Sequence, residues 1–328
     1  MPSTQVGYRP INGNDPAKLE PERATEFETG IDLGFFEGRV NLEASFYNKL
    51  VKNLISPFAT APGTGVAAVR AYPVGDLQNR GIELSLGVVP VKTANFVWNS
   101  STSFWFNRSL VTRLTVPEID LNPGFGANYG TTYFAEGESP TRWYGRPRID
   151  PTKLDTRANL TRYGDAQPTF QMSYQNTFTI FRNLELGFLL HWKKDGYTSN
   201  LTITNQDGFG TSKDWSDSYT AKDGSVGPIG EARQAFAAEY FVQNSGYVRL
   251  REVSIYYSVP AAIRSSLFKD YVKNIRIGAS GNNLLTWTNY RGYDPEVSNF
   301  GATNTQAQVD VVGYPSTKRV FFHINLDF

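Results

Sequence analysis

The chain has 328 residues, in which 32 lysines and arginines balance 31 aspartates and glutamates, so its formal net charge is +1. A charge so close to zero creates no long-range field that attracts nucleic acid, and we expect no nucleic-acid partner. The mean hydropathy of −0.38 and the lack of a run of about 20 apolar residues exclude a transmembrane helix. There is no cysteine, so disulfides and thiolate chemistry are excluded.

The first predicted element is a hairpin of two amphipathic strands. Residues 27–35 alternate apolar and polar side chains, Glu37-Gly38 is typical of a tight turn, and residues 40–47 return with the same alternation. The apolar residues of both strands fall on one face, so the hairpin has an apolar side and a polar side.

Two similar pairs follow in chain order. One runs over residues 81–110 with a turn near residues 90–94, and the next runs over residues 169–193 with a turn at residues 182–183. A fourth pair begins near Tyr247. The apolar period is thus that of strands throughout this part of the chain.

The fourth pair contains an irregularity. Its alternation changes phase between Leu250 and Val253, which are an odd number of positions apart, and a β-bulge is the simplest explanation. Residues 260–267 are predicted to form one or two helical turns before the alternation resumes at Ile275.

The chain ends in a strand, residues 320–328, whose side chains are apolar at every second position. A terminal aromatic residue that closes such a strand resembles the assembly signal of bacterial outer-membrane barrels. We assign this signal to the apolar positions Phe322, Ile324, Leu326 and Phe328.

Short turns alternate with long polar connections at residues 56–76, 115–168, 198–245 and 287–317. Compact soluble domains rarely contain several loops longer than about 15 residues, whereas outer-membrane barrels combine short periplasmic turns with long outer loops. We count about nine strands, each near the roughly 10 residues that a tilted membrane strand needs. The sequence therefore predicts an all-β fold, an antiparallel transmembrane β-barrel segment.

A series of short motifs occurs in a fixed order at residues 19–22, 28–36, 46–49, 79–84, 95–98, 247–253, 280–286, 292–296 and 314–315. The most specific are Tyr247-Val248-Arg249-Leu250-Arg251-Glu252-Val253 and Gly292-Tyr293-Asp294-Pro295-Glu296. With the terminal strand, their order and spacing resemble the carboxy-terminal half of the SusC/RagA family of TonB-linked outer-membrane transporters.

The resemblance implies a 22-stranded barrel to which residues 1–328 contribute roughly the last nine strands, with the amino-terminal plug and the signal peptide absent. It implies the outer membrane of a Gram-negative, Bacteroidetes-like bacterium, surrounded by outer-membrane lipid. It also implies import of oligosaccharides or peptides beneath a SusD-like surface lipoprotein. The TonB complex would act through the missing plug, and the resemblance implies neither enzyme activity nor a cofactor.

The cost of unpaired backbone groups also indicates that the predicted sheet pairs with further strands. An open sheet in hydrocarbon leaves a row of unpaired N–H and C=O groups at each edge, and each group costs several kcal/mol. About five groups of each kind per edge add up to tens of kcal/mol, more than the ~5–15 kcal/mol stability of a whole domain. We therefore expect no stable open sheet in a bilayer.

Aromatic residues of the long connections are candidates for stacking on sugar rings or peptide side chains. They are Tyr129, Tyr133, Trp143, Tyr144, Trp215 and Tyr219. The alternative is that they pack loops against each other or against the partner lipoprotein. Tryptophans within strands fit the aromatic girdles at the membrane interface instead, namely Trp98, Trp105, Trp192 and Trp287.

Two other functions remain open at the level of sequence. A soluble or surface-anchored all-β ligand-binding module would share the alternation, and it predicts that a second sheet covers the apolar face. A barrel enzyme would use His191 or His323, with Asn325 as a candidate orienting residue, and would need a serine close by. We expect both histidines to be polar residues of the lumen.

Asp294 and Glu296 have the side chains that Ca²⁺ prefers. A turn set by Pro295 is our preferred interpretation of this motif, and we predict no metal site.

Overall fold

The structure is a computed structural model that describes residues 20–59, 68–121, 126–146, 157–220, 224–234, 238–269, 271–296 and 308–328. The strands are β1 (Arg23–Phe35), β2 (Val40–Ala59), β3 (Ala68–Lys92), β4 (Phe96–Leu114), β5 (Ile119–Asp120), β6 (Thr131–Phe134), β7 (Arg142–Gly145), β8 (Thr161–Asp165), β9 (Phe170–Ile180), β10 (Leu184–Lys194), β11 (Tyr197–Asn200), β12 (Ser218–Thr220), β13 (Val226–Pro228), β14 (Val242–Asn244), β15 (Tyr247–Ser258), β16 (Asn274–Thr288), β17 (Val309–Asp310) and β18 (Arg319–Asp327). The helices are α1 (Thr202–Gly208), α2 (Ile229–Gln234), α3 (Ala238–Phe241) and α4 (Ala261–Phe268). Within these ranges, no helix combines the length and the apolar character that crossing a membrane requires.

Nine strands form one large sheet in the order β1-β2-β3-β4-β9-β10-β15-β16-β18. Every neighbouring pair is antiparallel. The all-β antiparallel fold and the count of about nine strands are confirmed. In the described ranges no pairing joins β1 to β18, so these two strands are the edges of the sheet.

The two ends of the sheet differ in the length of their connections. At one end, which we call the short-turn end, the connections are residues 36–39, 93–95, 181–183 and 259–273, the last of which contains α4. At the other end, the long-loop end, the chain forms the connections 60–67, 115–169, 195–246 and 289–318. The first short turn reverses direction through positive φ angles at Phe36, Glu37 and Gly38.

The sheet has one apolar face and one polar face, as the alternation predicts. Cross-strand partners share a face, and one row of such partners on the apolar face is Ile31, Ala44, Leu84, Phe104, Met172 and Trp192. Many of these side chains are exposed: Ile31 is 55% exposed, and Phe322 in the edge strand is 85% exposed. No second sheet covers this face in the part of the chain that is described, so the prediction of the soluble-module alternative is wrong there.

The bulge and the helix predicted for the fourth pair of strands are confirmed. The bulge in the fourth pair appears as register shifts between Leu250 and Glu252 and, on the partner strand, between Leu189 and Leu190. The helix predicted at residues 260–267 is α4.

The connection predicted as a loop at residues 56–76 is wrong in part. Strand β2 continues to Ala59 and β3 begins at Ala68, so most of this segment is an extension of the hairpin. A small core stabilises the extension, because Val74 on β3, Val111 on β4 and Phe134 on β6 are all buried together. The sequence does not reveal this core because it depends on residues of a distant loop.

The turn predicted at residues 90–94 is shorter than expected. Strand β3 runs to Lys92, with a register shift between Val88 and Val91. Pro90 lies within this irregularity, where the missing N–H of proline is tolerated.

Trp105 and Asn176 are among the residues that depart from the alternation. Trp105 pairs with Glu83 and Gln171, so it lies on the polar face and its assignment to a membrane girdle is wrong. Asn176 lies on the apolar face, where it is only 1% exposed and its Oδ1 accepts a hydrogen bond of 2.8 Å from the indole of Trp98.

Candidate functional site

Three of the long connections fold together at the long-loop end, and we call the described parts of residues 115–169, 195–246 and 289–318 the loop cap. Their common core contains Trp143 and Ala166 from the first connection, Leu201 and Val242 from the second, and Val309 from the third. The three connections therefore pack as one unit rather than as separate loops.

Backbone pairing joins the second and third connections. Strand β11 lies between β14 and β17, antiparallel to β14 and parallel to β17. Asp310 at the end of β17 accepts hydrogen bonds from the hydroxyls of Thr202, at 2.6 Å, and Tyr290, at 2.7 Å. Burial raises the pKa of Tyr290, and the nearby carboxylate of Asp310 raises it further by a smaller amount. This hydroxyl therefore remains a donor at neutral pH.

A buried ion cluster fixes the third connection to the wall of the sheet. Arg249, on the polar face of β15, is 2% exposed and contacts Asp294 and Glu296 at 2.6 Å each. Arg251 and Tyr247 also donate hydrogen bonds to Glu296. We call these five residues the Arg249 cluster.

The two carboxyl groups of the Arg249 cluster remain charged at neutral pH. Burial raises the pKa of Asp294, but hydrogen bonds from Arg249 and Ser316 outweigh that effect and hold it below its usual value. Burial likewise raises the pKa of Glu296, and hydrogen bonds from Arg251 and Tyr247 more than offset it. Because these oxygens already accept from arginine, the motif is a structural clamp in this structure.

A second ion cluster joins the second and third connections of the loop cap. Arg233 on α2 is fully buried and contacts Asp207 at 2.7 Å and Asp214 at 2.9 Å. Asp214 also binds Arg291 of the third connection. These ion pairs therefore join the same two connections that Asp310 joins through hydrogen bonds from neutral hydroxyls.

The six aromatic residues predicted to contact a ligand do not share one environment. Tyr133, Trp143 and Tyr144 are 4%, 0% and 3% exposed, and the Trp143 indole donates to the Tyr197 carbonyl at 2.9 Å. Buried rings offer no face to a ligand, so for these three we correct the prediction and assign them to packing.

The remaining three aromatics are only partly buried. Tyr129 packs against the ring of Phe241 at 5.2 Å between centroids, and the Trp215 indole donates to the Asp207 carbonyl at 3.2 Å. Tyr219 lies in β12 and pairs with Gly227. Ligand contact stays a prediction for Tyr129, Trp215 and Tyr219.

More exposed aromatic side chains of the loop cap lie outside the predicted set of six. Phe209 is 83% exposed, Tyr293 is 59% exposed and Tyr314 is 85% exposed. The Tyr293 hydroxyl accepts a hydrogen bond of 2.7 Å from Gln206, three residues before Phe209, so Tyr293 lies near the end of α1. Tyr293 and Tyr314 belong to the motifs at residues 292–296 and 314–315. Their place in these motifs was the sequence signal that could have identified them.

Within the described residues, neither histidine forms hydrogen bonds to both a serine and an orienting Asn or Asp. His191 contacts the Gln171 amide oxygen and the Arg251 guanidinium at 3.2 Å each. His323 contacts the Ser280 hydroxyl at 2.9 Å, but no hydrogen bond joins Asn325 to this histidine there. The described ranges also contain no group of three potential metal ligands.

The sequence profile of a known family, described as TonB dependent receptor-like, beta-barrel, matches residues 1–284. TonB-dependent receptor P3 of Formosa agariphila is 26% identical over an alignment of 375 positions, which covers 98% of this chain and 36% of that protein. TonB-dependent receptor SusC of Bacteroides thetaiotaomicron is 22% identical, with 94% of this chain and 32% of that protein covered. The chain thus spans about a third of the length of these curated relatives.

Solved structures support the same fold. The RagAB peptide transporter superposes with a TM-score of 0.70 at 18% identity, covering 94% of this chain and 35% of that chain. The RagAB peptide importer in its 'open-open' state gives the same values. The predicted resemblance to the SusC/RagA family is confirmed by these matches. Because the family profile covers most of its length, the chain belongs to the TonB dependent receptor-like, beta-barrel family.

Proposed function

We propose that this chain forms the carboxy-terminal barrel wall of a longer outer-membrane transporter that imports oligomeric nutrients with energy from the TonB complex. The observation that carries the proposal is the uncovered apolar face of the nine-stranded sheet. Exposed rows such as Phe27, Ile31 and Phe35 on β1 are stable against acyl chains and unstable in water. The short-turn end then faces the periplasm and the loop cap faces the outside.

The free edges of the sheet support the proposal that further strands complete the barrel. All thirteen residues of β1 are exposed, and eight of the nine residues of β18 are exposed. In a bilayer the unpaired backbone groups of these edges need partners. Strands that precede residue 1 in a longer polypeptide would supply them, together with the plug that contacts TonB.

The outer membrane of a Bacteroidetes-like bacterium is the proposed location, and transport rather than catalysis is the proposed activity. Fractionation of the native membranes tests the location, and a heat-dependent shift in gel migration tests the barrel. A heat-indifferent protein in the soluble fraction would contradict the proposal.

Oligosaccharides and peptides are the two proposed substrate classes, with Tyr129, Trp215 and Tyr219 as candidate contacts. Uptake of labelled oligosaccharides and labelled peptides into cells with and without the gene separates the two classes. We expect loss of uptake for one class on deletion, and unchanged uptake of both classes would refute nutrient import.

A SusD-like surface lipoprotein is the proposed partner, and the exposed aromatics of the loop cap are its proposed contacts. We expect Phe209→Ser and Tyr314→Ser to reduce co-purification of the lipoprotein, since exposed aromatic side chains often anchor interfaces. Tyr271→Ser is the matched control, because Tyr271 is 80% exposed at the short-turn end. Equal loss in all three variants would show that these loop aromatics have no special role.

A further inference from the structure

A cleft of about 400 Å³ opens on the apolar face where β10, β15 and β16 reach the long-loop end. Its floor is made of Trp192, Val248 and Trp287, which are direct cross-strand partners on three adjacent strands. The smaller valine lies between the two tryptophans.

Both tryptophan side chains are accessible, and Trp192 is also supported by a neighbouring ring. Trp192 is 37% exposed and Trp287 is 53% exposed. The ring of Phe170 supports Trp192 from the neighbouring strand, edge to face, with 4.8 Å between centroids. This arrangement leaves two apolar ring surfaces open to an acyl chain.

A lysine stands at the rim of the same cleft. Lys194 follows Trp192 on the apolar face of β10, and its side chain is 48% exposed. Asp195 lies 3.6 Å away, but its carboxylate also accepts hydrogen bonds from Thr169, at 2.7 Å, and from Asn244, at 3.1 Å. The ammonium group of Lys194 therefore keeps donors that can point outward.

Lys194 is the cation of the cleft that a ligand on the apolar face can reach. Its partner Asp195 carries the one negative charge of the lining and shares it with Thr169 and Asn244. The Lys193 ammonium is held on the polar side, where it donates to the Ser245 hydroxyl at 3.0 Å. Asn289, exposed beside Lys194, adds an amide donor for an oxygen ligand.

We propose that this cleft binds one outer-leaflet lipid with a phosphate on its headgroup, the phosphate on Lys194 and an acyl chain on Trp192 and Trp287. The inference rests on the proposed function, which places the long-loop end of the apolar face at the outer leaflet. Lysine binds phosphate as a point charge, and tryptophan favours the boundary between headgroups and chains. A lipid satisfies both parts of the cleft, whereas inorganic phosphate uses only the lysine.

The test uses the intact transporter in nanodiscs of phosphatidylcholine that contain phosphatidic acid, with lipid retention measured by native mass spectrometry. We expect Lys194→Gln to reduce retention of phosphatidic acid about tenfold, the effect of losing one charge-assisted hydrogen bond. Lys194→Arg should retain the lipid, and Trp287→Ala should weaken retention several-fold with the lysine intact.

Lys52→Gln is the matched control, because Lys52 is an exposed lysine on the apolar face of β2 that pairs with Arg23 and has no tryptophan pair beneath it. Unchanged retention in Lys194→Gln would overturn the proposal, and so would equal retention of phosphate-free diacylglycerol. Displacement of the lipid by inorganic phosphate at equal concentration would also overturn it, since binding would then be ionic only.

The same samples separate this inference from the proposed function. Heat-dependent gel migration and substrate uptake should be unchanged in Lys194→Gln if only the lipid site is lost. If the wild-type protein lacks that migration or is absent from outer membranes, the proposed function fails, whatever the lipid result.

Discussion

Arg249 is the residue of the sheet wall that fixes the third connection of the loop cap through two carboxylates. It is buried between two carboxylates, and removing one partner of such a cluster leaves uncompensated buried charge, which costs about 3–5 kcal/mol. We expect Arg249→Gln to release the segment around Asp294 and Glu296 and to increase amide exchange there.

The matched control for that variant is Arg276→Gln. Arg276 pairs with Glu185 at 2.9 Å, but the two side chains are 32% and 41% exposed. Such pairs contribute about 0–1 kcal/mol, so exchange in the loop cap should not change. Equal exchange in both variants would show that the Arg249 cluster does not hold the segment.

Acid should open the same contact. The pKa values of Asp294 and Glu296 lie below their ordinary values of 3.8 and 4.5 in the folded protein, so both carboxylates stabilise the folded state above the ordinary values. That stabilisation is lost as the pH falls through the lowered folded values. We expect protection of residues 292–296, corrected for intrinsic exchange, to be constant from pH 8 to about pH 5 and to fall below about pH 4.

The Arg249→Gln variant is the control for the acid effect. Without the guanidinium, the main cause of the lowered pKa of Asp294 is gone, and protection should be low at every pH. A fall in wild-type protection between pH 8 and 6 would point to a different titrating group.

Among the elements, β10 offers a direct test of which face meets lipid. Phe188 lies on the apolar face opposite Val253, and its neighbour Leu189 lies on the polar face opposite Glu252. We expect Phe188→Lys to destabilise the barrel by about 2–4 kcal/mol, and Leu189→Lys to be tolerated beside the glutamate. Denaturant titration of the intact protein in detergent measures both, and the reverse order would mean that the faces are exchanged.

The terminal strand β18 is the element to which we assign the assembly signal. Phe328 is 76% exposed on the apolar face, whereas Asp327 belongs to the polar phase of the strand. We expect Phe328→Ser to lower the amount of heat-modifiable protein in the outer membrane and Asp327→Asn to leave it unchanged. Normal levels of the serine variant would remove the signal from this residue.

At the scale of the whole molecule, the two free edges determine whether residues 1–328 can fold alone in a membrane. Refolded alone in detergent micelles, this chain should remain sensitive to protease and show no heat-dependent migration, because in the described ranges β1 pairs only with β2 and β18 only with β16. The longer polypeptide should show both properties of a barrel. A protease-resistant, heat-modifiable product from the isolated chain would mean that the edges pair with each other.

The large sheet could be predicted from the sequence because its two faces follow a period of two residues, and that period needs no knowledge of distant contacts. The loop cap could not be predicted in the same way. Trp143 is buried by residues from three separate connections, and only their shared core shows that its ring is inside. The Arg249 cluster joins two recognised motifs, residues 247–253 and 292–296, but order along the chain does not reveal an ion pair between them.

The strands of the β2–β3 hairpin are longer than crossing a bilayer requires. Strand β2 alone has 20 residues, which at about 3.3 Å per residue and a tilt near 45° rise about 45 Å, against an apolar band about 25 Å tall. About 20 Å of paired strand then stands clear of the lipid. On a living cell this extension, packed against β4 and β6, would be within reach of an antibody or a bacteriophage.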